Sequence, residues 1–251
     1  MSTLAGTTGR RRIYLMRHGH VDYFSAEVVR TRDTRMVTLT ERGRLEAEAA
    51  GRAFAAVTFD RAICSGLPRT RETAQLVLEQ IPGAPDLEIE PAFVELYGGS
   101  ANAKSRQELV ATMSFHFEKA AEPGATMLEG GESFAAAQER AVHAVRGLLR
   151  APAWRQILIV AHEGINRLIL SWACRAGLTA AGAFEQDTGC INVLDFDMVP
   201  SEGGAPGPEI ARAIVKAINL TPYNYLKHGM NLTSLEAIFA RDDASADSAA
   251  T

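Results

Sequence analysis

The chain has 251 residues, of which 47% are hydrophobic, and a formal net charge of −4. This composition is ordinary for a globular protein with a substantial core, and the acidic balance argues against nucleic acid as a partner. No run approaches the roughly 18 apolar residues of a membrane span, and the N-terminal residues lack the apolar stretch of a signal peptide. Three widely spaced cysteines, Cys64, Cys174 and Cys190, form no CxxC pair, as is usual for free thiols in a reducing compartment. We therefore expect a cytoplasmic protein with no membrane partner.

Two apolar runs far apart in the chain each end in a histidine. Residues 13–19 read IYLMRHG and residues 157–164 read ILIVAHEG. A short apolar run that ends at glycine or polar residues indicates a buried strand. Because ligands of open α/β sheets bind at the carboxyl ends of the strands, we expect His18 and His162 to lie where the chemistry takes place.

Capping residues in the sequence indicate where several helices begin. Thr38 and Glu41 have the spacing of a capping box, and so do Thr233 and Glu236. Ser65 is placed to cap the helix that follows the second strand. These signals predict where three of the helices begin.

Strands alternate with helices along the chain, which predicts a three-layer αβα sandwich with a mostly parallel central sheet. No composition break, repeat or linker divides the sequence, so we predict one domain over residues 1–251. Within it we expect flexible ends at 1–10 and 242–251, and an excursion at 100–133 that could form a cap. The first predicted strand begins near Arg12, and the others are 62–64, 87–89, the run that ends at His162, 191–197 and 211–218. Of the main predicted helices, one follows residue 38, one follows Ser65, and three cover 105–121, 132–149 and 165–176.

The sequence resembles the histidine phosphatase superfamily, the phosphoglycerate-mutase-like clan, over nearly the whole chain, and the resemblance rests on five separated segments. Residues 15–19 (LMRHG) resemble the signature whose histidine accepts the phosphoryl group, and residues 65–70 (SGLPRT) resemble a Ser-x-Leu-x-Arg segment whose arginine binds phosphate. Residues 93–95 lie where the family has its acid, 130–133 (GGES) resemble a segment that leads into a structural helix, and 160–164 (VAHEG) resemble the second-histidine motif.

The resemblance implies that His18 is the nucleophile, and the chemistry of the neighbouring residue types agrees. A phosphoryl group carries its charge on non-bridging oxygens, so a catalyst needs fixed positive donors around them. Arg17 and Arg69 can supply bidentate forks, and His162 a further hydrogen bond. The alternative for Arg69 is a surface pair with Glu72. Neutral His18 can attack phosphorus if an acceptor holds its other ring nitrogen, and the resemblance suggests a backbone carbonyl for this. No metal or other cofactor is needed.

Glu95 is the candidate general acid. It stands in an apolar setting, which would raise its pKa and keep the proton that a leaving alkoxide requires. Once ionised, the same carboxylate can activate the water that cleaves the phosphohistidine. Glu90, Glu129 and Glu132 are its rivals.

Three positions depart from the family pattern. Val21 and Phe24 stand where threonine and asparagine are frequent, which suggests a reshaped and more apolar pocket mouth. Glu163 replaces a frequent glycine and joins the predicted substrate-binding residues beside His162 and the two arginines. Either its carboxylate points into the site and disfavours highly anionic substrates, or the side chain points outward to solvent. We favour the outward orientation.

The sequence therefore predicts a phosphomonoester hydrolase that acts on a small phosphorylated metabolite through a phosphohistidine intermediate, as a monomer or a homodimer. A phosphoglycerate mutase is the first alternative, but residues 97–100 read YGGS and lack the extra basic residues that such mutases carry after the acid. A catalytically silent phospho-ligand binding module is the second, although binding alone would not require Glu95. His20 and Glu163 could join the histidines around zinc, but nothing completes a ligand set.

Overall fold

The computed structural model describes residues 6–31, 33–100, 106–151, 153–201 and 207–239. The strands in those ranges are β1 (Gly9–Arg17), β2 (Arg61–Cys64), β3 (Leu87–Ile89), β4 (Gln156–Ala161), β5 (Ile191–Val199) and β6 (Glu209–Leu220). They form one sheet with the order β3-β2-β4-β1-β5-β6. The first four strands in that order run parallel to one another, whereas β5 is antiparallel to both β1 and β6. The predicted mostly parallel α/β sheet is confirmed.

Helices cover both faces of this sheet. They are α1 (Ala26–Thr31), α2 (Glu41–Ala53), α3 (Pro68–Glu79), α4 (Arg106–Phe115), α5 (Phe134–Arg150), α6 (Glu163–Ala173) and α7 (Ser234–Phe239). Successive side chains of a strand point to opposite faces, and β1 shows this alternation. Ile13 and Leu15 pack in the core under α5 and α6, while Tyr14 and Met16 pack in a second core with α2 and α3.

The parallel strands bring three chain segments to the same edge of the sheet. Arg17 at the end of β1 pairs with Ala161 at the end of β4, and Cys64 at the end of β2 pairs with Val160. The residues that follow these strands are consequently neighbours, although they are far apart in the sequence. This edge is where the candidate site is found.

The first strand begins earlier than the sequence suggested. It starts at Gly9, not near Arg12, so residues 9 and 10 do not belong to the expected flexible lead. Two ion pairs explain the extension: Arg10 lies 2.7 Å from Asp197, and Arg12 lies 2.7 Å from Asp195, both on the neighbouring strand β5. Cross-strand partners of this kind cannot be read from the local pattern of three consecutive arginines.

The two predicted capping boxes have different outcomes. The one at Thr38 and Glu41 is wrong, because Thr40 has the extended backbone of a cap and its hydroxyl accepts a hydrogen bond from Gly43 N at 3.2 Å. The box at residues 233–236 is confirmed. The carboxylate of its glutamate accepts from the threonine N–H at 2.8 Å, and the threonine hydroxyl accepts in return at 3.3 Å.

The excursion at 100–133 contains α4 and a 3₁₀ turn at His116–Lys119, and α4 packs against α7. Residues 101–105 of this excursion, residues 1–5 and the C-terminal stretch 242–251 lie outside the described residues, so the single domain, the cap and the flexible ends stay predictions. Within the described part of the chain, no helix is long and apolar enough to cross a membrane.

Candidate active site

The two histidines predicted to lie at strand ends are adjacent in the structure. His18 follows β1 and His162 follows β4, and their ring centroids are 5.2 Å apart with the planes inclined at 65°. Both side chains are buried, with 1% and 0% of their surface exposed. The parallel sheet therefore brings the two motifs into one site.

The ring of His18 is held in one orientation by its neighbours. Nδ1 donates a hydrogen bond to the carbonyl oxygen of Gly19 at 2.7 Å, and Nε2 accepts one from Arg69 Nε at 3.2 Å. Burial, and then the positive charges of Arg69 and Arg17, lower the pKa of His18 well below its ordinary value. The imidazole is consequently neutral and carries its lone pair on Nε2.

Glycine is required at position 19 because two backbone segments touch there. A Cβ on Gly19 would lie 2.3 Å from the carbonyl oxygen of Gly43 in α2. The side chain of Thr73 accepts a hydrogen bond from Gly19 N at 3.0 Å and ties the same turn to α3. The carbonyl that orients His18 is thus fixed from two sides.

Arg69 lies in the first turn of α3 and is only 4% exposed. Besides Nε2 of His18, its guanidinium contacts the carbonyl oxygens of Thr34 at 3.3 Å and Arg35 at 3.4 Å. The alternative of a surface pair with Glu72 is wrong, since Glu72 pairs with Arg44 at 2.8 Å. Arg69 points into the site.

Ser65 holds His162 and does not cap α3, so that prediction is wrong. Its hydroxyl lies 2.8 Å from Nε2 of His162 and 2.9 Å from the hydroxyl of Thr70, while Leu67 is the N-cap residue and makes no side-chain cap. Burial, and then the charge of Arg69, lower the pKa of His162 well below its ordinary value. Nδ1 of His162 is buried and has no hydrogen-bond partner among the described residues.

Glu163 turns inward, contrary to the expected outward orientation. It is 5% exposed, and its carboxylate lies 3.1 Å from Arg17 and 2.9 Å from Arg167. Two buried guanidinium groups need a counter-charge, and this requirement outweighs the preference of a carboxylate for water. Burial acts to lower the pKa of Arg17, but the charge of Glu163 helps to raise it overall. Arg17 also donates to the carbonyl oxygen of Gln186 and to the hydroxyl of Ser234.

Sequence reasoning missed these last partners. Arg167 follows Glu163 by one helical turn, so the spacing rule for charged pairs on a helix would have found it. No local signal marks Ser234, which is separated from Arg17 by 217 positions. Its role in the site depends entirely on how the C-terminal residues fold back.

The carboxylate of Glu95 lies against the N-terminal end of α6, where backbone N–H groups have no partner within the helix. Its carboxylate accepts hydrogen bonds from Gly164 N at 3.2 Å and Ile165 N at 3.3 Å. A Cβ on Gly164 would lie 2.1 Å from the side chain of Leu96 and 2.8 Å from the Glu95 carboxylate, so a larger residue would displace both side chains. Burial, and then the charge of Glu163, raise the pKa of Glu95, while the N–H donors and Arg69 act against this rise.

Two of the rival acids are committed elsewhere. Glu132 forms an ion pair with Arg140 at 2.7 Å, and Glu90 accepts a hydrogen bond from Ala92 N at 3.0 Å. Of Glu90, Glu95 and Glu132, Glu95 is the one whose carboxylate accepts hydrogen bonds from the residues that follow His162. Among the described residues, no group of three or more His, Cys, Asp or Glu side chains is arranged to hold a metal ion.

The sequence and the fold of this chain are similar to those of known phosphatases. Residues 13–199 match the family model of the histidine phosphatase superfamily (branch 1). The adenosylcobalamin/alpha-ribazole phosphatase of Escherichia coli (strain K12) is 26% identical over 190 residues, which cover 74% of this chain and 90% of the relative. The solved structures that share the fold include two further phosphatases. The mycobacterial glucosyl-3-phosphoglycerate phosphatase has a TM-score of 0.65 at 20% identity and covers 84% of this chain and 99% of its own. The alpha-ribazole phosphatase of Shigella flexneri has a TM-score of 0.60 at 24% identity and covers 83% of this chain and 96% of its own.

The family match extends over well more than half of the sequence, and the curated relatives are phosphatases. The chain therefore belongs to the histidine phosphatase superfamily, branch 1, and is a phosphomonoester hydrolase.

Proposed function

We propose that this enzyme transfers the phosphoryl group of a small phosphate monoester to Nε2 of His18 and then to water. The observation that carries the proposal is the orientation of His18, whose Nδ1–H is bonded to the Gly19 carbonyl at 2.7 Å and whose Nε2 faces Arg69. A neutral ring with its lone pair beside a guanidinium is the arrangement that nucleophilic attack on a phosphate requires.

The charge of the transferred group is stabilised by Arg17, Arg69 and His162. The hydroxyl of Ser65 lies 2.8 Å from Nε2 of His162 and orients the ring, and in the tautomer in which this hydroxyl donates, the ring proton is on Nδ1. That nitrogen is the buried atom with no partner among the described residues. It can donate to a phosphate oxygen, so Ser65 acts as a positioning residue for the second histidine.

Glu95 supplies and then removes a proton. In the first step the bond between phosphorus and the ester oxygen breaks, and the protonated carboxyl donates its proton to the leaving alkoxide. In the second step the carboxylate takes a proton from water as that water attacks the phosphohistidine, which releases inorganic phosphate and regenerates neutral His18. Every step is assigned to a protein side chain, so the proposal needs no metal or other cofactor.

The nucleophile is tested by His18→Ala, with hydrolysis of 4-nitrophenyl phosphate as the measurement. We expect kcat to fall by about 10⁴-fold or more, because the covalent route is lost altogether. Quenching the wild-type enzyme in alkaline detergent during turnover of a ³²P-labelled substrate should trap a base-stable, acid-labile label that His18→Ala lacks. The control is His143→Ala, an exposed histidine on α5 outside the site. Turnover of the His18 variant within tenfold of wild type would refute the assignment.

The acid is tested by Glu95→Gln, with matched alkyl and aryl phosphates. Alkyl phosphates should lose about 10²–10⁴-fold in kcat, whereas aryl phosphates should lose far less because their leaving groups depart without a proton. Because the pKa of Glu95 is raised, the wild-type rate on alkyl phosphates should fall as pH rises through that value and removes the proton. Equal losses on both substrate types, or an unchanged pH profile in the variant, would remove Glu95 from the scheme.

The natural substrate is proposed to be a small phosphorylated metabolite, with no nucleic acid or membrane partner. The relatives named as alpha-ribazole phosphatases and glucosyl-3-phosphoglycerate phosphatase supply the first compounds to assay. Hydrolysis should predominate over transfer between positions of phosphoglycerate, which separates the phosphatase from a mutase. A cytoplasmic location is part of the proposal, and a homodimer stays a prediction for sedimentation analysis.

A further inference from the structure

A cavity of about 470 Å³ opens beside Arg17. Its walls come from the segment after β1, residues 20–24, from residues 187–188, and from residues 229–238, which we call the C-terminal wall. The family match ends at residue 199, so the C-terminal wall lies outside the matched residues. The cavity therefore combines residues inside the family match with residues beyond it.

The C-terminal wall is bonded directly to the phosphate site. Ser234 accepts a hydrogen bond from Arg17 through its hydroxyl, and its N–H donates to Glu185 at 3.0 Å. Glu185 pairs with Arg167 at 3.0 Å, and Arg167 pairs with Glu163, the partner of Arg17. This chain of contacts fixes the wall relative to the guanidinium that would hold the phosphate.

The cavity offers little to a second negative charge on the substrate. Both of its arginines have carboxylate partners, since Arg17 pairs with Glu163 at 3.1 Å and Arg42 with Glu46 at 2.7 Å. Asp22 also lines the cavity and is exposed. An additional carboxylate or phosphate would meet compensated cations and a like charge, which is unfavourable.

Apolar side chains supply much of the remaining lining. Val21 is buried in a small apolar cluster, while Phe24 and Leu232 present 45% and 50% of their surfaces. Met230 and Ile238 complete this apolar side of the cavity. Exposed apolar side chains within a concave site favour a ligand with an apolar face, and the two departures from the family pattern, Val21 and Phe24, contribute to it.

We propose that this cavity receives the organic part of the substrate and selects uncharged, partly apolar alcohols over alcohols that carry a second anionic group. The inference rests on the proposed function, because the ester oxygen must lie opposite Nε2 of His18 for in-line attack. Arg17 is one of the phosphate-binding side chains and also lines the cavity, so the cavity adjoins the phosphate site and offers space for the organic group.

Two matched pairs of substrates test the selectivity of the wild-type enzyme. Glycerol 3-phosphate has a hydroxymethyl group where 3-phosphoglycerate has a carboxylate. We expect kcat/KM to be higher for glycerol 3-phosphate by about tenfold or more. Ethyl phosphate and 2-phenylethyl phosphate have similarly basic leaving groups, and burial of the phenyl ring should favour the second by roughly tenfold. Equal or reversed ratios in both pairs would overturn the proposal.

Variants of the C-terminal wall locate the selectivity. Leu232→Arg places a free cation in the cavity and should raise kcat/KM for 3-phosphoglycerate relative to glycerol 3-phosphate by about tenfold. Met230→Arg is the second variant, should the first fail to fold. Leu45→Arg is the matched control, because Leu45 is exposed to a similar extent, 53% against 50%, but lies outside this cavity.

The outcomes separate this inference from the proposed function. If 4-nitrophenyl phosphate is not hydrolysed by the wild-type enzyme, the proposed function itself fails. If it is hydrolysed, but neither wall variant changes the ratio more than Leu45→Arg does, the cavity does not select the substrate and the inference is wrong.

Discussion

The two arginines of the phosphate site lie in opposite electrostatic surroundings. Arg69 contacts a neutral imidazole and two backbone carbonyls and forms no ion pair with any described residue. Arg17 is equally buried, but Glu163 lies 3.1 Å from its guanidinium. A cation without a carboxylate partner keeps its full attraction for an incoming phosphate, whereas a paired one also serves to hold the protein together. The difference predicts that Arg69 serves phosphate binding alone, whereas Arg17 combines phosphate binding with a role in stability.

The sharpest way to break this comparison is to neutralise Arg69. Arg69→Gln should lower kcat/KM for 4-nitrophenyl phosphate by about 10²–10³-fold, the usual effect of losing a donor that stabilises transition-state charge. Stability in urea should change little, because no carboxylate is left unpaired. Arg71→Gln, an exposed arginine two residues further along α3, is the control. A loss below tenfold would mean that Arg69 does not hold the phosphate.

Neutralising Arg17 should lower stability as well as activity. Arg17→Gln leaves the buried carboxylate of Glu163 with Arg167 as its remaining cation, and we expect the free energy of unfolding to fall by about 3 kcal/mol. Adding Glu163→Gln should restore part of this loss, because the uncompensated charge is removed as well. A double-mutant cycle in urea measures the coupling. Strictly additive effects would show that the pair at 3.1 Å contributes nothing to folding.

The sequence predicts some residues of the site correctly and others wrongly, and the difference again separates Arg69 from the surroundings of Arg17. His18 and His162 were found because apolar runs place them at strand ends, and Arg69 because its motif is local. The orientation of Glu163 was predicted wrongly, since it is decided by a charge balance between two arginines that no local pattern contains.

Contacts between distant parts of the chain explain the other errors. Ser65 was assigned to the helix beside it, whereas its partner His162 lies 97 positions away. The early start of β1 at Gly9 likewise depends on carboxylates of β5 that are more than 180 positions distant. Periodicity and capping signals act over a few residues, so they describe the elements but not which side chains the folded sheet brings together.

The smallest expected effect concerns the contact between the C-terminal wall and Arg17. Ser234→Ala removes one hydroxyl acceptor but leaves Glu163 and the carbonyl of Gln186 in place, so unfolding should become easier by only about 1–2 kcal/mol. Ser201→Ala, which removes an exposed hydroxyl bonded to Glu209, is the matched control. Hydrolysis of 4-nitrophenyl phosphate should fall by less than about tenfold, because Arg69 is untouched.

The readout that distinguishes a positioning role for Ser234 is substrate selectivity. With its anchor gone, the C-terminal wall should hold the apolar leaving group less firmly, so the preference for 2-phenylethyl phosphate over ethyl phosphate should shrink, mainly through KM. Ser234→Thr keeps a hydroxyl and should preserve that preference. If Ser234→Ala instead lowered kcat/KM on every ester as strongly as Arg69→Gln, the Arg17 side would bind phosphate as directly as the Arg69 side does. The predicted difference between the two arginines would then be wrong.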